Sequence, residues 1–338
     1  MWTLAQTDAP PVYYRRKIFE ASLQAYRGSF AVDFAVGEHG DIDETLPPRT
    51  AYFSDVDFSG IASEDNRPML IVLHGLSGGS HEVYLRHAIA PLVPNNGGWE
   101  VCVVNSRGCA NSRITSGILF NARATWDIRQ FVNWARDTFP NRPLFGLGFS
   151  LGANILTNYV GEEGADCPLK AAISVGNPFN LEIANKALKR TFLGKEVYQR
   201  VMGTNLKRLI GQHKEEMLQC SGLDWDRVQS TTYFAADDPI AVNEAVPYEE
   251  FKQNPYTVLC TTSLGGHLSW FEPGSGRWHA KPICNFLKIM ANEISLESAR
   301  AHPNGLKPKS ELPTKFDPVR RKLELVREHQ VECDDDGL

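Results

Sequence analysis

Strand-like apolar runs alternate with amphipathic helical segments along most of this chain. The runs stand at residues 30–36, 68–75, 100–108, 143–150, 170–179, 231–239 and 256–267. Between two of them, residues 124–139 carry apolar side chains at the spacing of one helix face: Ile128, Phe131, Val132 and Ala135. Strands that alternate with helices predict an α/β fold, in which a mostly parallel central sheet has helices on both faces.

Glycine and polar residues follow five of these runs. The segments are "HGLSGG", "SRG", "SLG", "DDP" and "LGGH". Strand-to-helix turns favour Gly, Ser and Asp on their own account. However, the carboxyl ends of parallel strands meet at one edge of a sheet, where ligands bind in this class of fold. Five such ends together favour a functional site at that edge.

One serine stands between two glycines in "GLGFSLGAN", residues 146–154. The pattern G-x-S-x-G is typical of a nucleophile elbow, a sharp turn from strand to helix that presents the serine hydroxyl. Side chains at positions 148 and 152 would collide with neighbouring backbone in such a turn, which explains Gly148 and Gly152. The segment follows a predicted strand and precedes a helical pattern, so we expect Ser150 to be a nucleophile.

A serine nucleophile needs a base and an acid that orients the base. His267 is the candidate base, because it follows a strand of strong β character and two glycines, whereas His74 comes too early in the chain. "AADDPI" offers Asp237 and Asp238 before it. We favour Asp238 as the acid and leave Asp237 as the alternative. The order Ser, Asp, His is the one that the nucleophile-elbow architecture uses.

The oxyanion of an acyl-transfer intermediate needs two backbone N–H donors. They are expected from the residue after the nucleophile, Leu151, and from the early loop after "HG", Leu76. That loop is no nucleotide site, because the chain contains no G-x-x-x-x-G-K-[ST] motif. A dinucleotide motif would require glycine at Leu151. We therefore expect no cofactor.

The composition limits which binding partners and which cellular compartment are expected for this protein. The net charge of -5 argues against a nucleic-acid binder, for which a basic face would dominate. The seven cysteines are odd in number and form no C-x-x-C pair, so neither a disulfide framework nor a metal site is expected. No apolar run reaches the roughly 18 residues of a membrane span, and the N-terminus lacks a signal-peptide core. We expect an intracellular protein, cytoplasmic or peripherally associated with endomembranes or lipid droplets.

Several segments together resemble one known family. They are "LHGLSGGSHEVYLR", "NSRGCANS", "GLGFSLGANIL", "AADDPI" and "TTSLGGHLSWFE". The chain is similar, over residues 1–290, to the α/β-hydrolases that include bacterial YheT, the plant embryogenesis-associated hydrolases and the yeast medium-chain fatty-acid ethyl ester synthase/esterases. The resemblance implies a serine esterase or acyltransferase for medium-chain acyl esters, monoacylglycerols or phospholipids. It places Ser150, Asp238 and His267 in the triad and implies that the loop around Arg107 braces the site.

The resemblance and the strand pattern also suggest the domain organisation. We expect a hydrolase core in residues 1–180 and 231–297, interrupted by a helical cap in residues 181–230 and followed by a charged tail in residues 298–338. Residues 181–214 hold eight Lys and Arg against two Glu, a local balance of +6. This basic segment is either a solvated helix face or a surface for peripheral contact with an anionic membrane.

The predicted strand that ends in "DDP" and carries the candidate acid begins with fewer apolar residues than its counterpart in the family. The predicted helical cap before it is also shorter. An alternative is therefore a catalytically impaired hydrolase-fold protein that serves as a lipid-binding module. A dehalogenase or an epoxide hydrolase would carry Asp at the elbow, where this chain has Ser150.

Overall fold

The computed structural model describes residues 9–41, 43–190, 199–221, 225–230, 245–262, 267–268, 270–272, 276–293, 314–317 and 322–325. The chain divides into two compact units. The first comprises Met1–Val246 and Thr262–Ala291, and the second comprises Pro247–Thr261 and Asn292–Leu338. The predicted site residues fall in the first unit.

The described strands of the first unit are β1 (Tyr13–Glu20), β2 (Ser29–Val36), β3 (Thr50–Tyr52), β4 (Met69–Leu73), β5 (Glu100–Asn105), β6 (Leu144–Phe149), β7 (Leu169–Val175), β8 (Phe271–Glu272) and β9 (Gly276–Arg277). Its described helices are α1 (Asp55–Ser59), α2 (Val83–Ile89), α3 (Pro94–Gly97), α4 (Trp126–Thr138), α5 (Leu151–Glu163), α6 (Leu181–Arg190), α7 (Gln199–Gln212), α8 (Lys214–Ser221) and α9 (Trp225–Ser230). A further helix, α11 (Ala280–Glu293), follows β9.

The central sheet of the first unit has the strand order β3-β1-β2-β5-β4-β6-β7 within the described residues. β5, β4, β6 and β7 run parallel to one another, and β2 pairs antiparallel with both β1 and β5. The sheet is therefore mostly parallel, which confirms the fold predicted from the alternating sequence pattern. β4, β5 and β6 end at the same edge, where their polar loops begin.

Both faces of this sheet carry helices. Because side chains alternate along a strand, Leu70 and Val72 of β4 pack into one apolar cluster with α2 and α11, while Met69 and Ile71 pack into another with α4 and α5. The predicted helix face at residues 128–135 is buried in the second cluster. The parallel strands are therefore packed on both faces, and the loops at their carboxyl ends project from this packed core.

Two strands of the central sheet were not predicted from the sequence, β1 and β3. β1 carries three consecutive basic residues, which resemble a surface segment, yet Arg16 is fully buried. β3 is only three residues long.

One predicted strand is wrong over its described part. Residues 256–262 form no strand, and Tyr256 and Val258 are 78% and 82% exposed. A strand is stabilised by a hydrogen-bonded neighbour and a buried face, and side chains this exposed supply no buried face.

The segment predicted to be a helical cap, residues 181–230, opens with α6 at Leu181. Its described residues are helical in α6, α7, α8 and α9. The predicted strand at residues 231–239 lies outside the described residues. In the second unit, the structure describes α10 (Tyr248–Gln253) and an antiparallel hairpin of β10 (Thr314–Asp317) and β11 (Lys322–Leu325). Within the described ranges, no helix has the length and apolar composition that crossing a membrane requires.

Candidate active site

Ser150 occupies a strained turn between β6 and α5. Its φ of 52° and ψ of −116° lie where a residue with a side chain rarely stands. Two hydrogen bonds hold this backbone: Ser150 N donates to the Val175 carbonyl at 2.9 Å, and Asn154 N donates to the Ser150 carbonyl at 3.1 Å. The side chain is 4% exposed. The local structure is therefore the strand-turn-helix that the G-x-S-x-G pattern predicts.

The two glycines of the motif are required by close backbone approaches. A Cβ at Gly148 would stand 2.5 Å from the Gly152 carbonyl oxygen and 2.6 Å from the Ala153 Cα. A Cβ at Gly152 would stand 2.5 Å from the carbonyl oxygens of both Leu73 and His74. Because these neighbours are backbone atoms, no side-chain movement can relieve the contact, and α5 packs directly against the end of β4.

The His267 side chain contacts Ser150, from which it is separated by 117 positions in the sequence. Its Nε2 lies 2.7 Å from the Ser150 Oγ, and the hydroxyl can donate to the unprotonated nitrogen. Burial lowers the pKa of His267 to about 4, so the imidazole is neutral at neutral pH. Gly176, which follows β7 with a φ of +62°, backs the ring: a Cβ there would stand 3.3 Å from the His267 Nδ1.

The structure thus brings two of the three predicted triad residues together. Asp238 and its alternative Asp237 lie outside the described residues. Within the part of the chain that the structure describes, no group of His, Cys, Asp and Glu side chains is placed to hold a metal ion.

The two predicted oxyanion donors lie at the start of α5 and in the loop after β4. Leu151 is the first residue of α5, and N–H groups in the first turn of a helix have no intrahelical acceptor. Leu76 lies in a tight turn closed by the hydrogen bond from Gly78 N to the Gly75 carbonyl at 3.2 Å. A Cβ at Gly75 would stand 3.4 Å from the Ser150 Cβ. The early loop therefore passes directly beside the serine.

His74, which the sequence analysis set aside as the base, links two loops. Ser106 N donates to its Nε2 at 3.0 Å, so the ring proton is on Nδ1, which donates to the Gly75 carbonyl at 2.6 Å. Burial lowers the pKa of His74 to about 4 and keeps the ring neutral. The side chain thus fixes the loop after β4 against the loop after β5, and both of its ring nitrogens are occupied by backbone hydrogen bonds.

Arg107 forms a buried two-point ion pair with Asp127. Its Nε and Nη2 donate to the carboxylate at 2.9 and 2.7 Å, and its guanidinium also donates to the Tyr26 and Arg27 carbonyls. Burial raises the pKa of Asp127 against the opposing effect of Arg107. These contacts tie the loop after β5 to α4 and to the β1–β2 connection, in keeping with the bracing that the resemblance implied.

A second buried network was missed by the sequence analysis. Asp33 of β2 accepts two hydrogen bonds from Arg16, one from Ser80 at 2.6 Å and one from Asn105 at 2.9 Å. Ser80 N also donates to the Asn105 side chain at 3.1 Å. The network joins the β4 loop to the end of β5. Its sequence signal is the single acidic residue in the apolar run "FAVDFAV".

The junction of α7 and α8 contacts the loop after β5. His213, between α7 and α8, is 7% exposed, and its Nε2 lies 2.8 Å from the Gly108 carbonyl. Met217 of α8 is 1% exposed. The junction of α7 and α8 therefore packs against the loop that contains Arg107.

Known proteins are similar to this chain in sequence. The family model described as "alpha/beta hydrolase fold" matches residues 68–228. A Saccharomyces cerevisiae protein named "Monoacylglycerol lipase" is 35% identical over 88% of this chain and 77% of its own length. "Medium-chain fatty acid ethyl ester synthase/esterase 2" of the same yeast is 28% identical, over 71% of this chain and 66% of its own length. "Embryogenesis-associated protein EMB8" of Picea glauca is 30% identical, over 67% and 59%.

The similarity to named hydrolases, which covers 67–88% of this chain, agrees with the mostly parallel sheet. Two of these relatives, the ethyl ester synthase/esterase and the embryogenesis-associated protein, belong to the groups that the sequence resembles. This chain belongs to the α/β-hydrolase fold family and is a carboxylic ester hydrolase of that family.

Proposed function

We propose that this protein cleaves medium-chain acyl esters, such as monoacylglycerols and fatty-acid ethyl esters, through an acyl-enzyme on Ser150. His267 is the general base, Asp238 orients it, and the N–H groups of Leu76 and Leu151 bind the oxyanion. The observation that carries the proposal is the 2.7 Å contact between the His267 Nε2 and the Oγ of a serine held in a strained elbow.

Acylation begins when the Ser150 Oγ attacks the ester carbonyl and its proton passes to the His267 Nε2. The carbonyl oxygen becomes an oxyanion, which accepts hydrogen bonds from the two backbone donors beside Ser150. As the tetrahedral intermediate collapses, the bond to the alcohol oxygen breaks, and His267 gives its proton to the departing alcohol. The acyl group then remains on Ser150 as an ester.

Deacylation repeats these steps with water as the nucleophile. His267 takes a proton from water, the hydroxide oxygen attacks the acyl carbonyl, and the bond to the Ser150 Oγ breaks as the serine regains its proton. An alcohol such as ethanol can replace water and yields a new ester. This is the basis for proposing acyltransferase activity beside hydrolysis.

Two observations support a medium-chain substrate. The relatives are named for a monoacylglycerol and for medium-chain fatty acid ethyl esters. In addition, α7 carries half-buried apolar side chains that can roof an acyl chain, namely Met202, Leu206, Leu209 and Ile210. Each buried methylene contributes about 0.8 kcal/mol. A pocket of this kind therefore favours longer acyl groups until its end is reached.

Labelling with a fluorophosphonate tests the nucleophile, because only an activated serine reacts. We expect the purified chain to be labelled, and Ser150→Ala to lose both the label and the hydrolysis of p-nitrophenyl octanoate. A chain-length series tests the substrate class: p-nitrophenyl esters of about six to ten carbons should exceed acetate in kcat/KM by several-fold per two carbons.

The same measurements can contradict the proposal. Labelling that persists in Ser150→Ala would exclude Ser150 as the nucleophile. A series in which acetate is best would exclude the acyl pocket but leave a small-ester hydrolase. A folded chain that is neither labelled nor active, yet binds a fatty acid, would favour the catalytically impaired lipid-binding module.

A further inference from the structure

Gly75 is held by hydrogen bonds on both sides of its residue. Its carbonyl accepts the Nδ1 proton of His74 at 2.6 Å and the N–H of Gly78 at 3.2 Å. Its own N–H donates to the hydroxyl of Tyr84 at 2.8 Å. Tyr84 is in α2, nine positions further along the chain. Its hydroxyl therefore bonds Gly75 from a neighbouring helix, whereas His74 and Gly78 belong to the loop itself.

The glycines of this loop make room for that hydroxyl. A Cβ at Gly75 or at Gly78 would stand 3.2 Å from the Tyr84 oxygen, closer than most real Cβ contacts. A Cβ at Gly75 would also stand 3.4 Å from the Ser150 Cβ, so this position faces the serine. The phenol, the loop and the serine therefore converge within a few ångströms.

Tyr84 is itself firmly placed. Its ring packs edge-on against the Phe149 ring, with centroids 5.1 Å apart, in the apolar cluster beneath the sheet. Phe149 immediately precedes Ser150 on β6. Burial raises the pKa of Tyr84 well above its ordinary value, so the phenol is uncharged at neutral pH.

The geometry of a peptide unit links these contacts to catalysis. In a trans peptide the C=O and the following N–H point in opposite directions. The Gly75 carbonyl and the Leu76 N–H belong to one such unit. Holding Gly75 at both its N–H and its carbonyl fixes the plane of that unit, and hence the direction of the Leu76 N–H.

We propose that Tyr84 is a positioning residue of the oxyanion hole: its hydroxyl, by accepting the Gly75 N–H, holds the Leu76 N–H in the direction that an oxyanion on Ser150 requires. This inference rests on the proposed function, in which Leu76 is an oxyanion donor. Without the hydroxyl, the Gly75 N–H loses its acceptor and the loop can turn to find another. The ground-state ester binds almost unchanged, whereas the oxyanion loses a well-aligned donor.

Tyr84→Phe removes only the hydroxyl. We expect kcat for p-nitrophenyl octanoate to fall 10- to 100-fold while KM stays within twofold of the wild-type value. An alkyl trifluoromethyl ketone, which forms an oxyanion adduct with an activated serine, should bind more weakly by the same factor. Loss of packing alone would not produce this agreement between kcat and the affinity of the analogue.

Tyr159→Phe is the matched control. Tyr159 is a fully buried tyrosine of α5, and its hydroxyl has no hydrogen-bond partner among the described residues. This variant should keep kcat, KM and the affinity of the ketone. Hydrogen–deuterium exchange across residues 74–80 should be faster in Tyr84→Phe and unchanged in Tyr159→Phe, because only the former frees an amide of the loop.

If Tyr84→Phe does not fold, Gly78→Ala provides the second variant, with Gly40→Ala as its control. A methyl group at residue 78 would stand 3.2 Å from the Tyr84 hydroxyl and 3.0 Å from the flexible Glu82 side chain, whereas one at residue 40 meets nothing within 4 Å. Gly78→Ala should lower kcat and the affinity of the ketone together. In either variant, unchanged kcat, or a lower kcat with unchanged affinity for the ketone, would overturn the inference. An inactive and unlabelled wild-type chain would instead contradict the proposed function.

Discussion

The guanidinium of Arg16 and the carboxylate of Asp33 form a two-point ion pair in which neither side chain is exposed to solvent. The distances are 2.6 Å from Nε to Oδ1 and 2.8 Å from Nη2 to Oδ2. A third donation, from Nη1 to the Ala110 carbonyl at 2.7 Å, extends the pair to the loop after β5. The pair therefore joins β1, β2 and a loop that borders the candidate site.

Arg16→Met should destabilise the protein strongly, because it leaves the Asp33 charge buried without its partner. We expect the free energy of unfolding to fall by about 3–5 kcal/mol in urea denaturation. Arg15→Met is the matched control: the neighbouring arginine pairs with Asp41, which is 61% exposed, and its loss should cost about 1 kcal/mol or less. Equal losses in the two variants would show that burial of the first pair does not matter.

Gly152→Ala should prevent the elbow from forming. The added Cβ would stand 2.5 Å from two backbone oxygens at the end of β4, so α5 would have to move away from the sheet. We expect a loss of about 3 kcal/mol or more in the free energy of unfolding, and loss of esterase activity. Gly40→Ala, where the new methyl group meets open space, should leave both unchanged. An active and stable Gly152→Ala would contradict the close packing of α5 against the end of β4.

The elbow could be predicted from the sequence because its requirement is local: the strand, the turn and the helix are consecutive, and only glycine fits at residues 148 and 152. The parallel sheet follows from the alternation of apolar runs. β1 could not be predicted in the same way, since a run of basic residues is typical of a surface and Arg16 is buried only because Asp33 faces it from the next strand.

The side chains that hold the loop after β4, which carries the candidate oxyanion donor Leu76, could not be predicted from the sequence for a related reason. Tyr84 and His74 act through hydrogen bonds to the backbone of Gly75, and a backbone group does not specify which side chain bonds it. For residues 256–262 the error was the opposite one, because a strand was predicted and none forms. Their β-forming residues predict a strand, but strand formation depends on a neighbour that the sequence of the segment does not specify.

Substitution of the two candidate acids should separate their roles. If Asp238 orients His267, Asp238→Asn should lower kcat for p-nitrophenyl octanoate by several orders of magnitude, because an amide favours the wrong imidazole tautomer and cannot stabilise the imidazolium. Asp237→Asn should have a far smaller effect. The reverse ranking would assign the acid to Asp237, and equal small effects would mean that neither residue completes the triad.

Stability should fall as the pH is lowered through the range in which unfolded histidines titrate. Burial lowers the pKa of His74 to about 4 in the folded protein, against an ordinary value of 6.5. Between these values the unfolded chain binds a proton that the folded protein does not, so the free energy of unfolding rises with pH in this window. The contribution of His74 is complete above pH 6.5 and is lost as the pH falls towards 4, a change on the order of 3 kcal/mol.

Urea denaturation at intervals from pH 7 to pH 4 measures this change, and His74→Asn isolates its source. The variant should be less stable at pH 7, because Ser106 N loses its acceptor and the Gly75 carbonyl loses a donor. Its pH dependence should nevertheless be shallower than that of the wild type, since one buried histidine no longer titrates. His39→Asn is a suitable comparison, because this residue also bonds a backbone carbonyl, that of Tyr14, but lies away from the loop. A His74→Asn variant with the full wild-type pH dependence would place the acid sensitivity at other groups and would remove the argument that burial holds His74 neutral against the oxyanion loop.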